Sequence, residues 1–283
     1  MRPRRSVLYM PAANTRAMDK ARDLDCDAII FDLEDAVAVS SKVTARSNVV
    51  RQISDADYGR RELIVRVNGL DTPWGRDDVQ ACARLPLHGL LFPKVSSADY
   101  VEEIDALLRQ LNPDMQIWIM IETPTALLDM QQFAGHPRVQ VLVIGTSDLV
   151  QELRATHTAD RHNLGYALQR SVAVARHFGK YILDGVHLDF RNTKTLQRVC
   201  EDAKAMGFDG KTLIHPDQID TANSVFGYSA AEEARARALI AAWQRAQAQG
   251  LGVAELDGRL IENLHAAEAQ RVIEYAEAQR QSG

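Results

Sequence analysis

Short apolar runs recur along the chain, each followed by a longer segment with a polar face. The runs fall at 7–10, 28–33, 63–67, 89–92, 117–121, 139–144, 181–183 and 212–214. They are rich in Val, Ile and Leu without strict alternation, the pattern of strands buried on both faces of a parallel sheet. The segments between them predict helices over 14–23, 40–53, 98–111, 125–133, 166–178 and 193–206. Eight such strand–helix alternations predict an α/β protein of the (β/α)8 TIM-barrel class. An open doubly wound sheet is the alternative, but no G-x-G-x-x-G follows the first run.

Beyond about residue 226 the pattern changes. Ser229 and Glu232 have the spacing of a capping box, and an Ala-, Arg- and Glu-rich helix runs from there to about 249. Residues 253–261 read as a hairpin around Asp257-Gly258, and a last helix covers about 264–279. The expected organisation is a barrel domain over 1–226 and a C-terminal helical extension over 227–283, packed on the barrel or on a neighbouring subunit.

Composition agrees with this picture. The chain has 283 residues, 46% hydrophobic and 25% charged, enough for a large core. A single α/β barrel uses about 250 residues. The formal net charge of −5 lacks the basic balance of a nucleic-acid binder. No run approaches the roughly 18 apolar residues of a membrane span, and the apolar stretch after the basic start is too short for a signal peptide. Cys26, Cys82 and Cys200 are far apart and form no C-x-x-C pair. They fit reduced thiols of a cytoplasmic protein.

In a barrel the active site lies at the C-terminal ends of the strands. Those ends are polar here: Asp32, Glu34, Asp35, Arg66, Asn68, Lys94, Glu122, Asp148, Asp184, His187 and His215. Carboxylates converging on one mouth repel each other unless a cation sits among them. Oxygen-only ligands favour a hard ion such as Mg²⁺ or Mn²⁺. Glu122 ends the strand 117–121, and the bland reading is a charge capping that strand. Asp148 sits in Gly145-Thr146-Ser147-Asp148-Leu149, either as a ligand or as an N-cap. Backbone N–H groups of Gly145, Thr146 and Ser147 could hold the carboxylate of a bound acid.

Arg66 must find an anion inside its apolar strand, either substrate or a structural partner such as Asp32 or Glu34. Lys94 reads as a neutraliser of the mouth carboxylates. Asp184, His187 and His215 read as structural, and His157 and His162 as solvated in a polar loop. Residues 2–22 carry Arg2, Arg4, Arg5, Arg16, Lys20 and Arg22, which suit a polyphosphate ligand or a solvated basic face.

With these residues placed, the chain resembles the citrate lyase β-subunit-like acyl-CoA lyases of the HpcH/HpaI aldolase superfamily, malyl-CoA and citramalyl-CoA lyases among them. The motifs are Arg5-Ser6-Val7-Leu8-Tyr9-Met10-Pro11, Asp32-Leu33-Glu34-Asp35-Ala36-Val37 with Lys42 and Ala45-Arg46, and Val65-Arg66-Val67-Asn68. Phe92-Pro93-Lys94, Ile121-Glu122-Thr123, Gly145-Thr146-Ser147-Asp148-Leu149, Leu183-Asp184-Gly185-Val186 and Gly207-Phe208-Asp209-Gly210-Lys211 through Ile214-His215-Pro216 complete the set.

The resemblance implies a homo-oligomer, a trimer or a multiple of one, with Mg²⁺ held by Glu122 and Asp148. It implies that Arg66 contacts substrate and that the basic start, through Arg5, Arg16 and Lys20, holds coenzyme A. The implied reaction cleaves a 3-hydroxyacyl-CoA into acetyl-CoA or a related thioester and a 2-oxo acid. Where the relatives carry a catalytic Asp in the tail, this chain has Glu262, with Leu264 in place of Pro. That makes Glu262 the candidate base, brought to a neighbour's mouth. Ser147 stands where many relatives have Glu. A metal-dependent pyruvate aldolase is a competing reading, although those enzymes read Asp-x-Glu-His where this chain reads Asp32-Leu33-Glu34-Asp35. A carrier-dependent subunit of a larger complex is another.

Overall fold

The computed structural model describes residues 2–281. Its strands and helices run β1 (Ser6–Pro11), α1 (Thr15–Lys20), β2 (Ala28–Asp32), α2 (Lys42–Asp55), β3 (Glu62–Arg66), α3 (Gly75–Cys82) and β4 (Gly89–Phe92). There follow α4 (Ala98–Leu111), β5 (Gln116–Ile121), α5 (Pro124–Asp129), β6 (Val139–Ile144), α6 (Thr146–Glu152), α7 (Gly165–His177) and β7 (Tyr181–Asp184). The remainder is α8 (Thr193–Met206), β8 (Gly210–Leu213), α9 (Ile219–Phe226), α10 (Ala230–Ala248), β9 (Ala254–Leu256), β10 (Arg259–Ile261) and α11 (Asn263–Gln281).

Strands β1 to β8 form a closed parallel barrel in sequence order. The closing seam pairs β1 with β8 in the register Ser6↔Lys211, Val7↔Thr212 and Leu8↔Leu213. This is the (β/α)8 architecture expected from the runs. All five residues of β2 and of β3 are buried, as strands between a filled interior and a helical layer must be. The helices present one buried stripe inward. In α4 it is Val101, Ile104, Asp105 and Leu108, with the Ser97 side chain capping Tyr100 N. Helix α8 buries Leu196, Val199, Cys200 and Ala203 between an Asn192 cap and Gly207 at φ 103°.

Two elements depart from expectation. The predicted helix over 125–133 is split into α5 and a 3₁₀ turn at Met130–Gln132. Helix α3 carries no apolar period long enough to announce it, and Asp78 is among its buried residues. Its first residue, Gly75, lies against the preceding loop. A Cβ there would stand 2.1 Å from the Gly69 carbonyl oxygen.

The chain divides into a compact unit over Arg4–Asn223 and a second that runs on from Ser224. In the second unit, α10 starts with the Ser229–Glu232 capping box, closed in both directions. Strands β9 and β10 form an antiparallel hairpin turning at Asp257 (φ 52°) and Gly258 (φ 72°). Trp243, Ala246, Ala254 and Ile261 belong to its small core. No helix among the described residues is long and apolar enough to cross a membrane.

Candidate active site

Alternate residues of the barrel strands fill the interior. Val7, Ile30, Ile64, Leu91, Met120, Val143 and Leu183 belong to one apolar cluster there. One further step of the same alternation brings Asp32 at the end of β2, Arg66 at the end of β3, Glu122 just past β5 and Gly145 just past β6. The strand period itself therefore delivers a polar rim above an apolar floor.

Arg66 is buried and forks onto Asp32, Nε to Oδ1 and Nη2 to Oδ2, both at 2.7 Å. Its Nη1 stands 3.1 Å from Glu34 and 3.6 Å from Asp35. The Tyr9 ring lies beneath the guanidinium, 4.9 Å to the centroid. Burial would raise the Asp32 carboxyl, but the charge and bonds of Arg66 hold it below the ordinary range. Glu34 behaves oppositely: burial, with Asp35 and Glu122 adding to it, pushes it up to about 7 against the pull of Arg66. The loop carrying Glu34 is held by Lys42, whose ammonium donates to Leu33 O, Glu34 O and Asn68 Oδ1.

Across the rim, Glu122 is buried, and its Oε1 accepts from Lys94 N at 2.8 Å. Burial raises its carboxyl above the usual value, against the pull of Lys94. Its Oε2 is buried with no hydrogen-bond partner among the described residues. Asp148, in the first turn of α6, accepts from the Lys94 ammonium, which stands 3.8 Å from Glu122 Oε1. Lys94 thus bridges the two acids, the neutralising role that its sequence position suggests, from a residue at φ 54°. A Cβ on Gly145 would lie 2.5 Å from Glu122 Cβ and 2.6 Å from its Oε2, so glycine makes room for the acid. The donor set is all oxygen and includes a buried oxygen with an unspent lone pair. These residues fit a hard divalent cation. Glu102, Asp105 and His136 form another acidic group, but Asp105 there already pairs with Arg138 and Arg109.

A cavity of about 420 Å³ opens on this rim, lined by Tyr9, Asp32, Arg66, Met120, Asp148 and Thr212 among others. Gly145, Thr146 and Ser147 also line it. The Gly145 N–H, however, is spent on Ile121 O in the strand ladder, so Gly145 contributes space and no donor. A second correction concerns Arg5. It precedes β1, at the end of the barrel away from the rim, and its guanidinium is buried on Asp27 at 2.7 and 2.9 Å. The buried ion pair holds the side chain there, so Arg5 is not brought to the mouth. Arg16 and Lys20 are placed on α1, which follows β1 at the rim end.

Glu262 is exposed in the second unit, and its carbonyl oxygen caps α11 by accepting from His265 N and Ala266 N. His162 is exposed beside Asp160. The sequence pattern does not reveal one further group. Lys211, fully buried, donates to Asp184 at 2.6 Å and to Gly185 O, and Arg161 from the preceding loop bonds both Asp184 oxygens. The signal lay in a lysine inside β8 and an acid at the end of β7, neither with a local partner. Asp184 is therefore structural, as expected. It ties the loop holding Arg161 to the barrel.

Fold and rim together define a barrel enzyme with an acidic, cation-fitting mouth. The model of the HpcH/HpaI aldolase/citrate lyase family matches residues 5–216, and the chain belongs to that family. Its citrate lyase and citramalyl-CoA lyase members are lyases. The chain is 47% identical to a protein of Cereibacter sphaeroides named (3S)-malyl-CoA thioesterase, over 98% of this chain and 95% of the relative. It is 30% identical to the mitochondrial citramalyl-CoA lyase of Homo sapiens, over 97% and 86%. The protein CitE from Mycobacterium tuberculosis, solved with magnesium, acetoacetate and coenzyme A, matches with a TM-score of 0.79 at 27% identity, covering 96% of this chain and 97% of that one.

Proposed function

We propose that the chain acts, with Mg²⁺ or Mn²⁺, on a malyl-CoA-type 3-carboxy-3-hydroxyacyl-CoA, cleaving it to acetyl-CoA or a related thioester and a 2-oxo acid. The observation that carries this is the pairing of an acid set fit for a hard cation with a buried arginine across one 420 Å³ cavity. Glu122 and Asp148 would hold the cation, which when bound supplies a Lewis acid for the hydroxyl and carboxylate of the acyl group.

Arg66 spends its fork on Asp32 and keeps further N–H groups for the cavity that it lines. They stabilise negative charge as the carbon–carbon bond breaks and the thioester becomes an enolate. Asp32 fixes the guanidinium plane, so no reorganisation is needed at that moment. Glu262 takes the hydroxyl proton, reaching the mouth of a neighbouring subunit from the 227–283 extension, while residues 1–226 form the catalytic domain. Arg16 and Lys20 attract the coenzyme A phosphates. The enzyme is read as a cytoplasmic homo-oligomer, a trimer or a multiple of one.

A second reading has its own observation. A relative 47% identical over nearly the whole chain is named for hydrolysis of (3S)-malyl-CoA, not for carbon–carbon cleavage. The same cavity then breaks the thioester bond. One assay separates the two. With malyl-CoA and Mg²⁺, glyoxylate trapped as its phenylhydrazone without free thiol supports the lyase. Free coenzyme A thiol with malate and no glyoxylate supports the hydrolase. In either case Glu122→Ala and Asp148→Ala should abolish turnover and Mn²⁺ binding with the fold retained. Full activity in excess EDTA would sink the metal role.

A further inference from the structure

Tyr9 brings a hydroxyl into the cavity beside the apolar side chains of Met120, Ile144 and Ile214. The residue packs against the cluster that fills the barrel beneath the rim, to which Met120 belongs. It is half-buried and lines the cavity together with Arg66 and Met120. Its hydroxyl makes one hydrogen bond, to Met120 Sδ at 3.4 Å. A thioether sulfur is a weak acceptor, so this donor is close to unspent. Burial also raises the phenol well above its ordinary value, outweighing the nearby Arg66 charge, and keeps the proton on oxygen at neutral pH.

Met120 locates that hydroxyl relative to the acids. The point where a Gly145 Cβ would stand is 3.0 Å from Met120 Cε and 2.6 Å from Glu122 Oε2. The hydroxyl therefore lies one thioether side chain away from the cation-fitting carboxylate, and its own ring supports Arg66. Tyr9, Arg66 and Asp148 line one cavity, so a ligand that fills it meets all three. A partly buried donor costs desolvation unless it finds a better acceptor than sulfur.

We propose that the Tyr9 hydroxyl is a substrate-positioning donor, giving a hydrogen bond to an oxygen of the acyl group held between Arg66 and Glu122. This rests on the functional reading above. Tyr9→Phe removes the oxygen alone and leaves the ring face under Arg66. Calorimetric titration of (S)-malate, the acyl group as its free acid, in the presence of Mg²⁺ compares wild type with the variant. The expected result is about tenfold to hundredfold weaker malate binding. The Mn²⁺ dissociation constant and Tm should stay as in wild type, which a merely structural role for the hydroxyl would not allow. Equal malate affinity in the two proteins, or no malate binding by the wild type, overturns the inference. A wild type that binds malate more tightly than the variant yet leaves malyl-CoA intact overturns the functional reading and keeps the donor.

Discussion

At the residue scale the rim is defined by how each charge is spent. Arg66 can be read as a structural partner or as a substrate contact, and its geometry is compatible with both: it is bonded to Asp32 and lines the cavity. Lysine cannot reproduce that planar fork. Arg66→Lys should therefore lower kcat by about a hundredfold. Wild-type turnover with a lowered Tm would reduce Arg66 to an ion-pair member. Glu34 and Glu122 are both raised by burial, Glu34 to about 7. The folded state then holds protons that the unfolded chain has released above its ordinary carboxyl value. Protein freed of metal by EDTA should lose stability as pH rises from about 4.5 to 7. The loss should be shallower in Glu34→Gln, measured as Tm against pH. An identical slope in the two proteins would remove Glu34 as its source.

At the element scale, the turn from β6 into α6 sets how Glu122 and Asp148 stand to each other. Gly145 is needed there for close approach, since its φ is ordinary and only the missing Cβ lets Glu122 stand beside it. Gly145→Ala should push the Glu122 carboxylate aside and weaken Mn²⁺ binding by about tenfold to hundredfold. Electron paramagnetic resonance of free Mn²⁺ would read this, with circular dichroism reporting the intact barrel. Unchanged affinity would mean that the β6–α6 turn yields. Most elements are legible locally: α4 and α8 fall on the predicted residues because a stripe of period 3.6 and a Ser or Asn cap are properties of short windows. Helix α3 is illegible for the converse reason. Its eight residues carry little apolar pattern, and its start lies against the Gly69 carbonyl.

At the scale of the whole molecule, the reading of Glu262 as a base in a neighbour's site predicts complementation. Glu262→Ala and Arg66→Ala, each inactive, should regain activity when denatured and refolded together, because hybrid oligomers contain sites with both residues intact. No recovery, with hybrids confirmed by native mass spectrometry, would place the tail in cis or remove Glu262 as the base. The local pattern was sufficient for the barrel class, the tail helices, the Ser229–Glu232 cap and the Asp257-Gly258 turn, since burial period and turn chemistry act over a few residues. It also named the residues of the rim, because in a barrel the polar residues that follow each apolar strand gather at one mouth. Which charge meets which depended on closure. Lys94 reaches Asp148 across 54 positions, Arg66 reaches Asp32 across 34, and Arg5 is lost to Asp27 across 22. Buried charges must pair with whatever the closed barrel brings within reach. That partner is set by closure and register, and neither is written in a residue's neighbours along the chain.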